Sequence, residues 1–560
     1  MLKASSAMAA ATLLSRVLGL MREQAYMFFL GTTWVNDAFQ YAFTVPNLFR
    51  RLLGEGALTA AFIPIFKAKE KTHGEAEMWK AANAVISGLV VASCVIVTVV
   101  LVGVSLALAF GAPAAAPMTV ATVLHGTAVV AGTHAVAGGI APVHFWTPGH
   151  FQPKIVLMLQ LLRVMFPYMV LVCLTAIMMG MLNARGHFFI PALGATMLNV
   201  VMIVSVYWVA PKFGMGLPKD QKLPVQIFAL AYGVLAAGVA QAAFQMPTLW
   251  RDGFRYRWVA PWNNETVRRV VVQMVPGTIG VAAFQINVAL VQLVALFVGT
   301  GIVSSFNGAV RLMELPQGMF GISLATFLLP TLAGLATDKN YPEFRSTLRD
   351  GLASLMFLNL IASVLLVVLA EPIVRLLFEH GEKFTAISTM RVAHALVCLA
   401  PGLVAFSTAN ILARAFYALG DTKTPMKISI ICLTANFLGA CLLMPLLRER
   451  GPGIANTCTS AVNVGLLLFA LRKKLGKLDM APLRQTLRTL TLAALAAGVI
   501  AWAGWYWWEK TIGHASLALK IGAVFVPAGI AGGTYWVIAL LCRVPAAREM
   551  TAFALARVKR

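Results

Sequence analysis

From residue 7 to residue 542 this chain repeats one pattern: a long apolar stretch, a short polar turn, and another apolar stretch. Stretches of roughly 20 apolar residues are long enough to cross a bilayer as helices. In hydrocarbon every backbone N–H and C=O must be satisfied within the structure, which leaves helices as the spanning element for runs of this length. The stretches fall at 7–30, 34–66, 81–110, 158–183, 188–210, 225–249, 270–299, 302–335, 350–370, 386–418, 426–446, 452–471, 485–507 and 519–542, fourteen in all. Composition agrees, with 59% hydrophobic and 12% charged residues, where a soluble domain is closer to half apolar and a quarter charged. The expected fold class is an all-α polytopic membrane protein. Pro46, Pro64, Pro276, Pro316 and Pro401 fall inside spans and predict kinks there.

A net charge of +24 would indicate nucleic acid in a soluble chain. Here the Lys and Arg residues gather in alternate turns: KAKEK at 67–71, RDGFRYR at 251–257, LRKKLGK at 471–477 and the tail ARVKR at 556–560. The positive-inside rule explains that bias and places both termini in the cytoplasm, with no nucleic-acid partner. Arg16 and Arg22 interrupt the first apolar run and no polar domain follows it, so it reads as a span rather than a cleaved signal. The cysteines (94, 173, 398, 432, 441, 458, 542) lie in or beside spans without a CxxC spacing and read as packing residues. The longest connection, 111–157, is expected outside the membrane. Its histidines, His125, His134, His144 and His150, have no compact metal-ligand spacing, so no metal site is expected.

Two short matches indicate an internal repeat. GEGALTAAFIPIF at 54–66 resembles FGISLATFLLPTL at 320–332, and ARGHFFIPALG at 184–194 matches ALGDTKTPMKI at 418–428. They pair spans 1–6 with spans 7–12. Six crossings preserve orientation, so the halves are parallel repeats. The expected organisation is a six-helix lobe at 1–250, a second at 251–478, and two extra helices with a basic tail at 479–560.

Charged residues lie where a span should be purely apolar. Arg16 and Arg22 sit in the first stretch, Arg50 and Arg51 in the second, and Arg311 in the eighth. An ionised group costs several kcal/mol in hydrocarbon, so such residues mark a wet, protein-lined path. On the first span, Ser15 and Arg22 are seven apart, as are Arg16 and Glu23, which gives one polar face with Gly19 between. Asp37 opens the second span, where it reads either as a helix-start residue or as a cavity residue. Arg50 and Arg51 point about 100° apart, so Arg50 is expected to face the cavity and Arg51 its edge or Glu55. Arg311 and Glu314 are one turn apart, as an ion pair or with Arg311 open to a ligand. A planar guanidinium binds phosphate oxygens bidentately and keeps its charge in a low dielectric. Arginines clustered in this way suit a diphosphate rather than an organic cation.

On these residues the chain resembles the MurJ (MviN) family of lipid II flippases, within the multidrug/oligosaccharidyl-lipid/polysaccharide exporter superfamily. The resemblance runs through SRVLGLMRE, NDAFQYAFTVPNLFRRLLGEGALTAAFIPIF, RLMELPQGMFGISLATFLLPTL and GDTKTPMKI, in order along essentially the whole chain. It implies fourteen helices, two six-helix lobes around a central cavity, and a lipid-tail groove on the last two. The family's cavity arginines match Arg16, Arg22, Arg50 and Arg311. Ser15, Glu23, Asp37, Glu55 and Glu314 match or neighbour its polar cavity positions, and Arg51 stays a candidate at the cavity edge. The implied function is movement of the undecaprenyl-diphosphate-linked peptidoglycan precursor across a bacterial inner membrane by alternating access, without covalent chemistry. Precursor and membrane lipids are the implied partners, together with other cell-wall synthesis proteins. No cofactor is implied, and dependence on membrane potential or a coupling ion stays open. A sodium site through acidic residues, attributed to some members, has no matching intramembrane Asp or Glu in spans 7, 11 and 12; Gln285, Asn287, Asn436, Asn456 and Thr457 stand there instead. The alternatives are a flippase for another polyprenyl-diphosphate oligosaccharide, a cation-coupled small-molecule exporter, and a polytopic glycosyltransferase or ligase, which would need a carboxylate or histidine base by an outer loop, where 111–157 has no carboxylate and no DxD.

Overall fold

In a computed structural model of the chain, residues 2–54, 57–111, 151–476 and 481–558 are described. Glu55, the four loop histidines and the ends of the two last basic clusters lie outside them. The described residues form helices and turns, with no strand among them. Eight of these helices are long and apolar enough to cross a membrane alone, and ten spans result if each of two bent pairs counts as one. The helices are α1 (Leu2–Leu30), α2 (Trp34–Phe49), α3 (Ala57–Gly111), α4 (Pro153–Met165), α5 (Tyr168–Ala184), α6 (Phe189–Val204), α7 (Lys219–Arg251), α8 (Glu265–Val298), α9 (Ile302–Pro316) and α10 (Ser323–Thr337). They continue as α11 (Tyr341–Val368), α12 (Ala370–Phe378), α13 (Ala386–Leu399), α14 (Gly402–Ala418), α15 (Lys423–Leu447), α16 (Arg450–Leu475), α17 (Ala481–Thr511), α18 (Leu517–Leu541) and α19 (Pro545–Val558).

By packing, the chain divides into two compact units, Met1–Val303 and Ser304–Arg560. Lipid tails are as apolar as leucine, so close fit rather than water exclusion holds such helices together. In the first unit, Phe62, Phe66 and Met78 of α3 pack with Ile177 and Met181 of α5 and Leu249 of α7. Gly238 lets α7 lie against α5, since a Cβ there would come within 2.9 Å of Leu171 and Tyr168. In the second unit, Gly451 lets the start of α16 approach the α15 backbone; a Cβ would lie 2.7 Å from the Met444 nitrogen. The Ala493, Ala494, Ala497 and Ala501 face of α17 is buried beside α18 and α11. Tyr535 of α18 stacks on Phe357 at 5.3 Å and donates its hydroxyl to the Phe357 carbonyl at 2.7 Å, so the two extra helices belong to the second unit.

The repeat read in the sequence has a local counterpart. α2 passes through Pro46 into a π-helical turn, Arg50–Gly54, before α3. α9 ends at Pro316 and passes into a π-helical turn, Gln317–Ile322, before α10. Proline removes one helix donor and displaces the carbonyl one turn back, and a widened turn re-pairs the backbone. The fourth and tenth spans are each bent, by 45° between α4 and α5 and by 44° between α13 and α14. Pro167 and Pro401 stand at those breaks. A kink at Pro401 is expected from the sequence; the one at Pro167 is an addition. Pro153 starts α4 inside what reads as loop, since proline at the first helical position loses no hydrogen bond. Beyond α18 the chain is helical again as α19, and Trp536 of α18 donates to Thr551 on it at 2.9 Å.

Candidate functional site

The polar residues of the first unit form a chain through its interior. On α1, Arg22 and Glu23 are 8% and 4% exposed. Glu23 Oε2 lies 4.0 Å from Arg22 Nη2, beyond hydrogen-bonding distance. The Arg22 guanidinium stacks over the Tyr26 ring at 5.4 Å, and its buried Nε has no acceptor among the described residues. Gln40 of α2 donates to Glu23 at 3.5 Å and to Asn36 at 3.1 Å, and Asn36 donates to the Gly31 carbonyl at 2.6 Å. The carboxylate is thus held from α2, and the guanidinium beside it keeps donors unspent. Arg16 is half-buried two turns back. Ser15 is half-buried, and its carbonyl accepts from Asn199 of α6 at 3.3 Å; Gly19 lies against that same asparagine.

Asp37 is fully buried in the first turn of α2, where Thr33 is the N-cap. Its carboxylate accepts the Gly301 amide, in the turn between α8 and α9. Lys154 of α4, also buried, donates to the Gly299 carbonyl of that turn at 3.2 Å and lies within electrostatic reach of Asp37. A buried charge is tolerated when paired and hydrogen-bonded, and here a carboxylate and an ammonium pin one turn from two helices. Sequence reading misses Lys154 because it falls in an apparent loop; the N1 proline beside it is the signal that was there to find.

The π turn carries Arg50 and Arg51. Arg50 Nε donates to Asn47 at 2.8 Å, and Arg51 Nη1 donates to Gln285 of α8 at 3.3 Å. One turn-pair further along α8, Gln292 accepts from Thr44 of α2 at 2.8 Å. Gln285 and Gln292 are seven apart on one stripe of α8, a spacing visible in the sequence but with no partner until α2 is placed against it. In the second unit, Arg311 donates to Glu314 at 2.8 Å across one turn of α9, and both side chains stay partly exposed. The first unit therefore gathers Arg22 and Glu23 of α1 with Gln40 and Asn36 of α2, holds Asp37 separately against the 299–301 turn, and carries Arg50 and Arg51 on its π turn. Arg311 and Glu314 are a local pair on the second unit.

Comparison with known proteins places this geometry. A family model described as lipid II flippase MurJ matches residues 26–123 and 115–520. The lipid II flippase MurJ of Burkholderia cenocepacia is 33% identical over 497 residues, covering 88% of each chain. A probable lipid II flippase MurJ of Rhizobium tropici is 32% identical, over 95% of this chain and 92% of its own. A solved structure of lipid II flippase MurJ in an inward closed conformation superimposes with a TM-score of 0.70 at 21% identity, over 95% of this chain and 99% of its own. An inward-facing multidrug resistance transporter of the MATE family superimposes with a TM-score of 0.61 at 13% identity, over 85% of this chain and 99% of its own, which speaks to fold alone. The matched family model and the relatives aligned along most of their length show that the chain belongs to the MurJ family.

Proposed function

We propose that this chain is a flippase carrying the undecaprenyl-diphosphate-linked peptidoglycan precursor, lipid II, from the inner to the outer leaflet of a bacterial inner membrane. It is a multi-pass transporter and not an enzyme, and it works by alternating access. The observation that carries the reading is Arg22: a guanidinium 8% exposed, braced by Tyr26 and by a carboxylate 4.0 Å away, with donors left over for an oxyanion. Diphosphate oxygens supply what those donors lack. Arg16, Arg50 and Arg311 join the cargo-binding set by motif. Ser15, Glu23, Asp37, Arg51, Glu55 and Glu314 are the polar positions that hold or neighbour it. The polyprenyl tail stays in lipid, along α17 and α18. Both termini lie in the cytoplasm, and any net charge that crosses is acted on by the membrane potential, at about 2.3 kcal/mol per charge per 100 mV.

The test is depletion of the chain in cells that depend on it. Accumulation of lipid-linked peptidoglycan precursor, followed by lysis, is the expected result. Accumulation of a different polyprenyl-diphosphate oligosaccharide, with precursor levels unchanged, would favour the other flippase reading.

A further inference from the structure

Arg163 is an exposed arginine on a membrane-spanning helix, and it makes no hydrogen bond or ion pair among the described residues. It lies nine residues along α4 from Lys154, about 13 Å at the rise of an α-helix, and 21 residues from the end of α5 at Ala184, about 30 Å allowing for the bend. Its depth is therefore well inside the span. α4 and α2 run in the same direction. At one end Asp37 and Lys154 hold the same 299–301 turn. At the other, Phe166 meets Phe49 edge-on at 5.6 Å. Arg163 precedes Phe166 by three residues and so lies on the same side of α4, level with the turn of α2 that leads into Arg50. The far side of α4, with Leu157, Met158 and Leu161, is buried. Gln160 shares the open stripe, three residues before Arg163.

A guanidinium at this depth, open and without a countercharge, needs a wet path and an anion. We propose that Arg163 is a further phosphate-binding residue, contacting the diphosphate of the lipid-linked cargo on its way past the Arg50 turn. The inference rests on the cargo class proposed above. The shared chemistry is a phosphate ester anion, and a phospholipid headgroup is the other source of one.

The experiment reconstitutes wild type, Arg163→Ala and Arg163→Lys in vesicles of either zwitterionic or anionic phospholipid. Lipid II exposure is followed against lipid II content. The expected result is that Arg163→Ala raises the half-saturating lipid II content about tenfold, as for one lost charge-assisted hydrogen bond. Arg163→Lys recovers part of the shift, and the pattern is the same in both phospholipids. Unchanged half-saturation in Arg163→Ala overturns the proposal. So does a shift seen only in anionic vesicles, which assigns Arg163 to phospholipid headgroups. A wild type that fails to move lipid II at all refutes the cargo reading itself, a separate result. Thermal midpoints of the three proteins, expected to agree, exclude loss of fold as the cause.

Discussion

Removing the Arg22 guanidinium strands a buried carboxylate as well as a cargo contact, and the two losses separate by a second substitution. Two unit charges 4 Å apart attract by about 4 kcal/mol at an effective dielectric of 20. Arg22 and Glu23 are held at 4.0 Å and are both buried, so Arg22→Ala forfeits stability of up to that order. Arg22→Ala combined with Glu23→Gln removes the unpaired charge and leaves Gln40 an amide to bond, so stability returns toward wild type. Transport does not return. A bidentate contact to a diphosphate is two charge-assisted hydrogen bonds, about 3 kcal/mol at the low end, or roughly 100-fold in flipping rate. The assay measures appearance of the lipid II headgroup on the far side of reconstituted vesicles, with the thermal midpoint measured on the same protein. A double variant that is stable and flips at the wild-type rate would refute the assignment of Arg22 to cargo and leave it a structural ion pair.

Three further outcomes follow from the same reasoning. Asp37→Ala and Lys154→Met each lower the thermal midpoint, and together cost less than their sum by about 0.5–3 kcal/mol, because each alone leaves the other buried and uncompensated; strict additivity in a double-mutant cycle would show the two are not coupled. Asp421, in the turn before α15, accepts the Thr424 amide at 3.0 Å and Lys474 at 2.9 Å, and these partners hold its carboxyl well below the usual carboxylate range. Its contribution is full above the unfolded value near pH 4 and is lost as pH falls toward the depressed folded value, so Asp421→Asn, costing about 1 kcal/mol at neutral pH, should converge with wild type in acid melts. Tyr535→Phe leaves the ring stack and removes a buried hydrogen bond to the Phe357 carbonyl, at about 1 kcal/mol, read as earlier loosening of α17–α18 in hydrogen exchange.

The fold was largely legible because membrane helices announce themselves by length and hydropathy. Weak repeat matches pointed to real geometry: the 54–66 and 320–332 blocks each begin at or just inside a π-helical turn that follows a proline. The charged residues of α1 and α2 were legible because a charge in an apolar run has no bland surface to occupy. What stayed hidden depends on partners in three dimensions. Gln285 and Gln292 are ordinary polar residues until Arg51 of the π turn and Thr44 of α2 lie opposite. Lys154 looked like a loop cation until Pro153 started a helix beneath it. Asp37 had two readings, and neither foresaw that it is buried against the Gly301 amide, a partner 264 residues away.

The most direct measurement of the central claim is transport by the purified chain, in vesicles offering lipid II in one experiment and an undecaprenyl-diphosphate carrying an unrelated oligosaccharide in another. The account predicts that lipid II crosses, that the other cargo lags behind it, and that Arg22→Lys slows lipid II despite keeping the charge. Equal transport of both cargoes, or full rate in the lysine variant, would contradict it.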